Sequence, residues 1–369
     1  VTTATDPQLA DRLTLDHGPG WANRFALAPL TNTQSHPDGT LSDAEHDWLV
    51  ARGRGGFGLT MTCAAYATPA GKAWQGQLGI SSDEHLPGLT RLADSLRATG
   101  TTSSVQLHHG GRRADASITG EPLACPWDEP DRGVTALTTA EVEQVVADFV
   151  AAAVRAEQAG FDGVEVHGAH GYLLCQFLDA RRDRRTDRYG GSLDGRLQVF
   201  LEVLSGIRDA TGPDFQLGLR LTPEGNGITL PDGREIARRL LASGTLDYLD
   251  MSLWDVFMKP RGQYDDWDEW DPERLLIDHF TDLPRHGALL GVAGKVLSAA
   301  DARWCLERGA DFVSVGTGAI LHHDFAARSV GDTDFRARPM PAPREVLAGE
   351  CVSERFLDYL SVTFDDVVA

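Results

Sequence analysis

The sequence predicts an α/β fold of the (β/α)8 TIM-barrel class, and three observations carry that expectation. Three stretches share one pattern: EQAGFDGVEV (157–166), LASGTLDYLDMS (241–252) and LERGADFVSVG (306–316). Each ends a helical pattern on Gly, the residue that enters the left-handed region without a Cβ penalty, and then runs into an apolar strand. Eight strand-like runs alternate with helical patterns along the chain. No Pro/Gly/Ser-rich linker divides them, so residues 1–369 read as a single domain, with the barrel core at about 23–330 and a C-terminal extension at 331–369.

The eight runs are Phe25–Leu30, Phe57–Cys63, Thr102–His108, Gly163–His167, Phe215–Leu221, Asp247–Ser252, Ala288–Val292 and Asp311–Val315. They are nearly continuous apolar runs, as expected of parallel strands buried on both faces. One crossover helix is well marked. Thr138 with Glu141 three residues on is a capping-box pattern, and Val142, Val145, Val146, Phe149, Val150 and Ala153 follow at helical spacing before Gly160. LTLDHGPGWANRFAL (13–27) reads as a hairpin that plugs the barrel bottom. Segments 111–137 and 254–272 are too long for turns and are expected over the active face, the second as a lid or an anchored loop.

With 34 basic and 54 acidic residues the net charge is −20, which argues against nucleic acid as a partner. No apolar run approaches the roughly 18 residues of a membrane span. The five cysteines form no C-x-x-C pair, which fits a reducing cytoplasm and argues against structural zinc. The N-terminal VTTATDPQLADRLTLDHG carries no basic, apolar targeting signal. Cys63, at the end of the second strand, has no His at supporting spacing and reads as a packed thiol.

A barrel of this class builds its active site just past the C-terminal ends of its strands. The fourth strand runs into EVHGAHGYLL (165–174), which places His167, His170 and Tyr172 there. The histidines fit three roles: core hydrogen bonding, a metal pair, or two N–H donors aimed at one carbonyl oxygen. No third ligand stands at a matching position, so no metal is assigned. Tyr172 fits a proton donor. The turns after strands seven and eight, GVAGK (291–295) and GTGAIL (316–321), fit a phosphate cradle. The basic run RRDRRTDR (181–188) alternates with acids and reads as a salt-bridged loop. His108, His322 and His323 read as solvated or capping residues.

NRFALAPLT (23–31), QLHHGGR (106–112), VEVHGAHGYLLCQFLD (164–179), TDRYGGSLDGR (186–196) and LGLRLTPEG (217–225) together resemble the old yellow enzyme family. The resemblance implies non-covalent FMN, NADH or NADPH as reductant, and a small-molecule activated alkene as substrate. It implies that Ala28, Pro29, Leu30 and Thr31 line the flavin edge, that Ala64 offers backbone to the ring, and that Gln106 binds the pyrimidine end. Arg220 would sit at the N1/O2 end, where a cation favours charge on reduced flavin. Gly294, Lys295, Gly316 and Thr317 would hold the phosphate. His167 and His170 would bind the substrate carbonyl, Tyr172 would protonate Cα, and Trp254 would wall the pocket. His109 matches a scaffold position.

Two departures stand out. Thr317 occupies the place where the family has a phosphate arginine, and Lys295 stands where a neutral residue is usual. Larger flavin relatives carry an iron–sulfur cysteine cluster that this sequence lacks. The rival of another class is a non-redox, lyase-like barrel that uses the His pair on a phosphorylated or carbonyl substrate. The homo-oligomeric state stays open.

Overall fold

The structure, a computed structural model, describes residues 8–364 and 366–369. The strands among them are β1 (Phe25–Leu27), β2 (Leu59–Tyr66), β3 (Thr102–His108), β4 (Leu123–Cys125), β5 (Val134–Ala136), β6 (Gly163–Gly168), β7 (Gln216–Leu221), β8 (Tyr248–Ser252), β9 (Leu289–Ala293) and β10 (Phe312–Val315). β4 and β5 pair only with each other. The other eight close a barrel in the order β1-β10-β9-β8-β7-β6-β3-β2, and every pairing is parallel. All eight expected strands are therefore barrel staves. β1 stops at Leu27, short of the expected Leu30, and Pro29 has no N–H to extend the ladder.

Helices separate the staves. The marked crossover spans Thr139–Gln158, and Thr138 and Glu141 make the reciprocal cap. Its buried stripe is Val142, Val145, Phe149, Ala152, Ala153 and Ala156; of the expected face, Val146 and Val150 are only partly buried.

The barrel interior has two layers of unlike character. The lower is aromatic. Trp21 is fully buried, paired through Leu13 as one rung of the N-terminal hairpin, and packs edge-on against Phe312 at 4.9 Å and Tyr248 at 5.3 Å. Two glycines make room for those rings. A Cβ on Gly218 would lie 2.0 Å from the Tyr248 ring, and one on Gly291 would lie 2.1 Å from the Phe312 ring. Gln216 ties the plug down, accepting from Trp21 Nε1 at 3.2 Å and donating to the carbonyls of His17 and Pro19. Trp21→Ala would leave a void worth about 3–5 kcal/mol. The upper layer is polar, with Gln106, Glu165, Arg220, Asp250 and Ser314 buried together under the strand ends.

Segment 111–137 folds as short turns, the helix Ala116–Thr119 and the β4–β5 pair. In 254–272, Tyr264, Trp267 and Trp270 pack against the core as anchors. The 181–188 run is salt-bridged: Arg182 meets Glu129 at 3.1 Å, Arg185 meets Asp187 at 2.5 Å and Arg188 meets Glu143 at 2.7 Å. No helix among the described residues is long and apolar enough to cross a membrane. The first seven residues of the N-terminal stretch lie outside the described residues.

Candidate active site

The turn after β6 is conformationally demanding. His170 and Gly171 both take positive φ, 60° and 71°. A non-glycine residue held there costs about 1–3 kcal/mol and persists where its surroundings over-determine it. Here the His170 N–H donates to Thr222 Oγ1 at 2.8 Å. The turn carries the His170 ring to within hydrogen-bonding reach of His167, with the Tyr172 ring also close to His167.

The two imidazoles form a chain. The Ala169 N–H points at His167 Nδ1 at 3.2 Å, which assigns the neutral ring's proton to Nε2. That N–H faces His170 Nδ1 at 3.1 Å, and His170 Nε2 then faces Ser252 Oγ at 2.8 Å. Burial is the main cause holding both rings neutral, with His170 pushed down to about 3 and His167 well below its usual value. The rings are thus donors, but they are bonded in series rather than both pointing at one oxygen. Serving a single carbonyl requires the contact between them to open.

Tyr172 sits among aromatic rings. Its ring lies 4.3 Å from His108, 5.2 Å from His167 and 6.4 Å from Trp74. Burial raises its pKa, so the phenol keeps its proton at neutral pH. The guanidinium of Arg113 covers its outer side at 4.5 Å. His108 corrects an expectation: it is fully buried in this cluster, not solvated, because its β3 position points into the barrel mouth. His322 is also buried, and accepts from the Arg338 N–H at 3.0 Å. His323 holds Glu350 at 2.5 Å; with Asp324 they form a cluster of ligating groups, where Arg338 already occupies Glu350.

The residues expected to hold a flavin surround the same mouth. Ala28 and Ala64 are buried, while Pro29, Leu30, Thr31, Gly316 and Thr317 are partly open at their strand ends. Gln106 donates through Nε2 to Glu165 at 2.7 Å, which leaves its carbonyl oxygen uncommitted. Arg220 pairs with Asp250 at 2.6 Å, and its buried Nε has no partner. Ser314 donates to the same Asp250 oxygen at 2.9 Å. An acceptor and a cation presented from one polar layer suit the imide and N1/O2 edges of an isoalloxazine, so the donor set fits FMN.

The phosphate side is less regular. Lys295 has φ 52° and a side chain 69% exposed, and it pairs with Asp255 at 3.4 Å. Gly294 has φ 151°, and a Cβ there would meet the backbone of Trp254 and Asp255 at 2.7 Å. Trp254 is 46% exposed, has φ 68°, and stands 5.3 Å from the His170 ring.

Sequence reasoning passed over Glu165 and Asp250 and placed His108 wrongly. Strand alternation was the available signal, since Glu165 precedes His167 by two, Asp250 precedes Ser252 by two, and His108 follows Gln106 by two. Glu165 is fully buried, and burial, then the neighbouring Asp250, push it up to about 8. Tyr359, from the helix Glu354–Thr363, comes beside Thr31 and feels the charge of Arg113; no local pattern marked it. Cys63 is a packed thiol, 2.7 Å from Glu45 Oε1 and raised by burial.

A family model described as NADH:flavin oxidoreductase / NADH oxidase matches residues 20–269. The chain is 37% identical over 317 residues to the probable NADH-dependent flavin oxidoreductase YqiG of Bacillus subtilis (strain 168), covering 83% of each. It is 32% identical over 325 residues to the NADH oxidase of Thermoanaerobacter brockii, covering 83% of this chain but 48% of that one. Among solved structures, morphinone reductase is 27% identical and superposes with a TM-score of 0.76 over 94% of each chain.

Proposed function

The chain belongs to the NADH:flavin oxidoreductase / NADH oxidase family, FMN enzymes of the old yellow enzyme type that use NADH or NADPH, and we propose that it reduces the activated C=C bond of α,β-unsaturated carbonyl compounds. One observation carries the reading. A protonated phenol, Tyr172, stands 5.2 Å from one ring of a neutral imidazole pair at the end of a single strand. Carbonyl polarisation and proton delivery to the adjacent carbon require that pairing of groups.

When bound, FMN would supply hydride-transfer chemistry. Gln106, Arg220, Ala64 and the Ala28–Thr31 turn would hold its ring. Gly294, Lys295, Gly316 and Thr317 would hold its phosphate. Once the His167–His170 and His170–Ser252 contacts open, His167 Nε2–H and His170 Nε2–H donate to the substrate carbonyl oxygen. As charge gathers on that oxygen their grip strengthens, an effect worth about 3–4 kcal/mol for a well-placed donor. Tyr172 gives its proton to Cα, and Trp254 walls the substrate space. Neutral imidazoles suit this task, since each donates without adding a charge that would need a buried counter-ion. The described residues act as one barrel domain on a small-molecule substrate.

The test is an absorbance spectrum of the pure protein, followed by anaerobic titration with NADH and NADPH and reoxidation by 2-cyclohexenone. A yellow protein, bleached by a nicotinamide and recoloured by the enone without oxygen, is expected. Reoxidation by oxygen alone would overturn alkene reduction. A colourless protein would favour a non-redox use of the His pair.

A further inference from the structure

At the Gly171 turn lies a cavity of about 240 Å³, lined in part by Arg113, Gly171, Gln176, Asp179, Arg181 and Asn226. Its walls are cationic in a chain of net charge −20. Arg112 and Arg182 line it too, so four arginines border it. The carboxylates that hold them are two. Glu129 takes Arg112 at 2.9 Å and Arg182 at 3.1 Å, and Asp179 takes Arg181 at 3.5 Å. Arg113 has no ion pair among the described residues. One of its amino groups donates to the His170 carbonyl, and no other hydrogen bond occupies the rest of its fork. Its face covers the Tyr172 ring at 4.5 Å, so it is held at the boundary between the cavity and the proposed catalytic groups. Its charge reaches His167, His170 and Tyr172, and in each case opposes a positive form or favours a negative one. An exposed arginine with unused donors, fixed at two points beside a reacting centre, suits an anionic oxygen.

We propose that this cavity is an anion subsite, in which Arg113 seats a phosphate or carboxylate group of the ligand whose reacting end lies at the His pair. The space is about that of eight liquid waters, room for such a group. The inference rests on the alkene-reductase reading, because it takes the ligand's other end to be at His167 and His170. Two sources share this chemistry: the pyrophosphate of the nicotinamide dinucleotide, and a carboxylate on the alkene or its mimic.

Matched ligand pairs test it on the FMN-loaded protein with Arg113→Met, which keeps most of the unbranched stem and removes the charge, and Arg113→Lys. Flavin absorbance changes give Kd for 4-hydroxybenzoate and for its neutral methyl ester. Stopped-flow flavin reduction gives the apparent Kd for NADH and for reduced nicotinamide riboside, which lacks phosphate. Arg113→Met should weaken at least one anionic member tenfold or more and its neutral partner less than threefold, with Arg113→Lys in between. Loss confined to 4-hydroxybenzoate assigns the subsite to substrate carboxylates; loss confined to NADH assigns it to pyrophosphate. If both anions bind within threefold of the parent, or neutral and anionic members weaken together, the subsite is wrong. A parent that answers the neutral phenol while Arg113→Met leaves the anions unmoved sinks this inference alone. A parent that answers no phenol sinks the underlying reading and takes the subsite with it.

Discussion

His167 Nε2 lies 3.1 Å from His170 Nδ1, so the N–H of one ring is spent on the other. The two histidines are therefore unequal. His170→Ala releases the His167 N–H, while His167→Ala removes the head of the chain and leaves His170 anchored on Ser252. Each substitution should weaken phenol binding and slow alkene reduction by about 10²–10³, the usual loss for one such donor, with His167→Ala the more severe. Flavin reduction by NADH should change far less. Single-turnover kinetics separate the two half-reactions; an equal fall in both would make the pair structural.

Tyr172→Phe removes one hydroxyl and keeps the ring that packs 4.3 Å from His108. The alkene half-reaction should slow by about 10²–10⁴, the range for a lost general acid, and flavin reduction should barely move. An unchanged oxidative rate would hand proton delivery to water or another group.

Lys295 tests the phosphate turn. Its ammonium is exposed and shared with Asp255, so Lys295→Ala should weaken FMN retention modestly, most visibly as salt rises. Asp255→Ala, which frees the lysine, should strengthen retention at low salt, and Thr317→Arg should rescue Lys295→Ala. Dialysis at graded salt, read by residual flavin absorbance, decides. Retention equal to the parent at every salt concentration would make Lys295 a surface residue only.

Stability should fall on both sides of neutrality. Burial, the first cause in each case, lowers His170 to about 3 and His109 to about 4. The unfolded chain therefore binds more protons below about 6.5, and this stabilising contribution is lost as pH falls from there toward 4 and 3. Glu165 runs the other way. Raised to about 8 by burial and then by Asp250, it contributes stability that is complete below about 4.5 and is lost as pH rises through 8. The melting temperature of Glu165→Gln relative to the parent should thus climb between pH 5 and 8 and then level off. A difference that stays flat with pH would show that Glu165 is not the titrating group.

The barrel was legible because its signals are local and repeated. Gly at helix ends, Asp before apolar strands and the Thr138–Glu141 cap all act within a few residues. His167, His170 and Tyr172 were legible because one turn carries them. Glu165 and Asp250 hid inside apolar runs, where charge looks anomalous until strand alternation turns both toward the barrel axis. Arg113 and Tyr359 had no local signal at all, since loop and C-terminal packing deliver them. The serial bonding of the two imidazoles was equally invisible, because it depends on the left-handed backbone of His170, which composition does not reveal.

The aromatic floor of the barrel has a consequence for biosynthesis. Trp21 leaves the ribosome well before its hydrogen-bond partner Gln216, which is 195 residues further along, and His17 meets Asp247 after 230. At about 5–20 residues per second, those partners follow on the order of 10–45 s later. Through that interval the nascent chain carries a large indole whose ring partners, Tyr248 and Phe312, are not yet made. The hairpin that floors the barrel must therefore wait for strands made long after it.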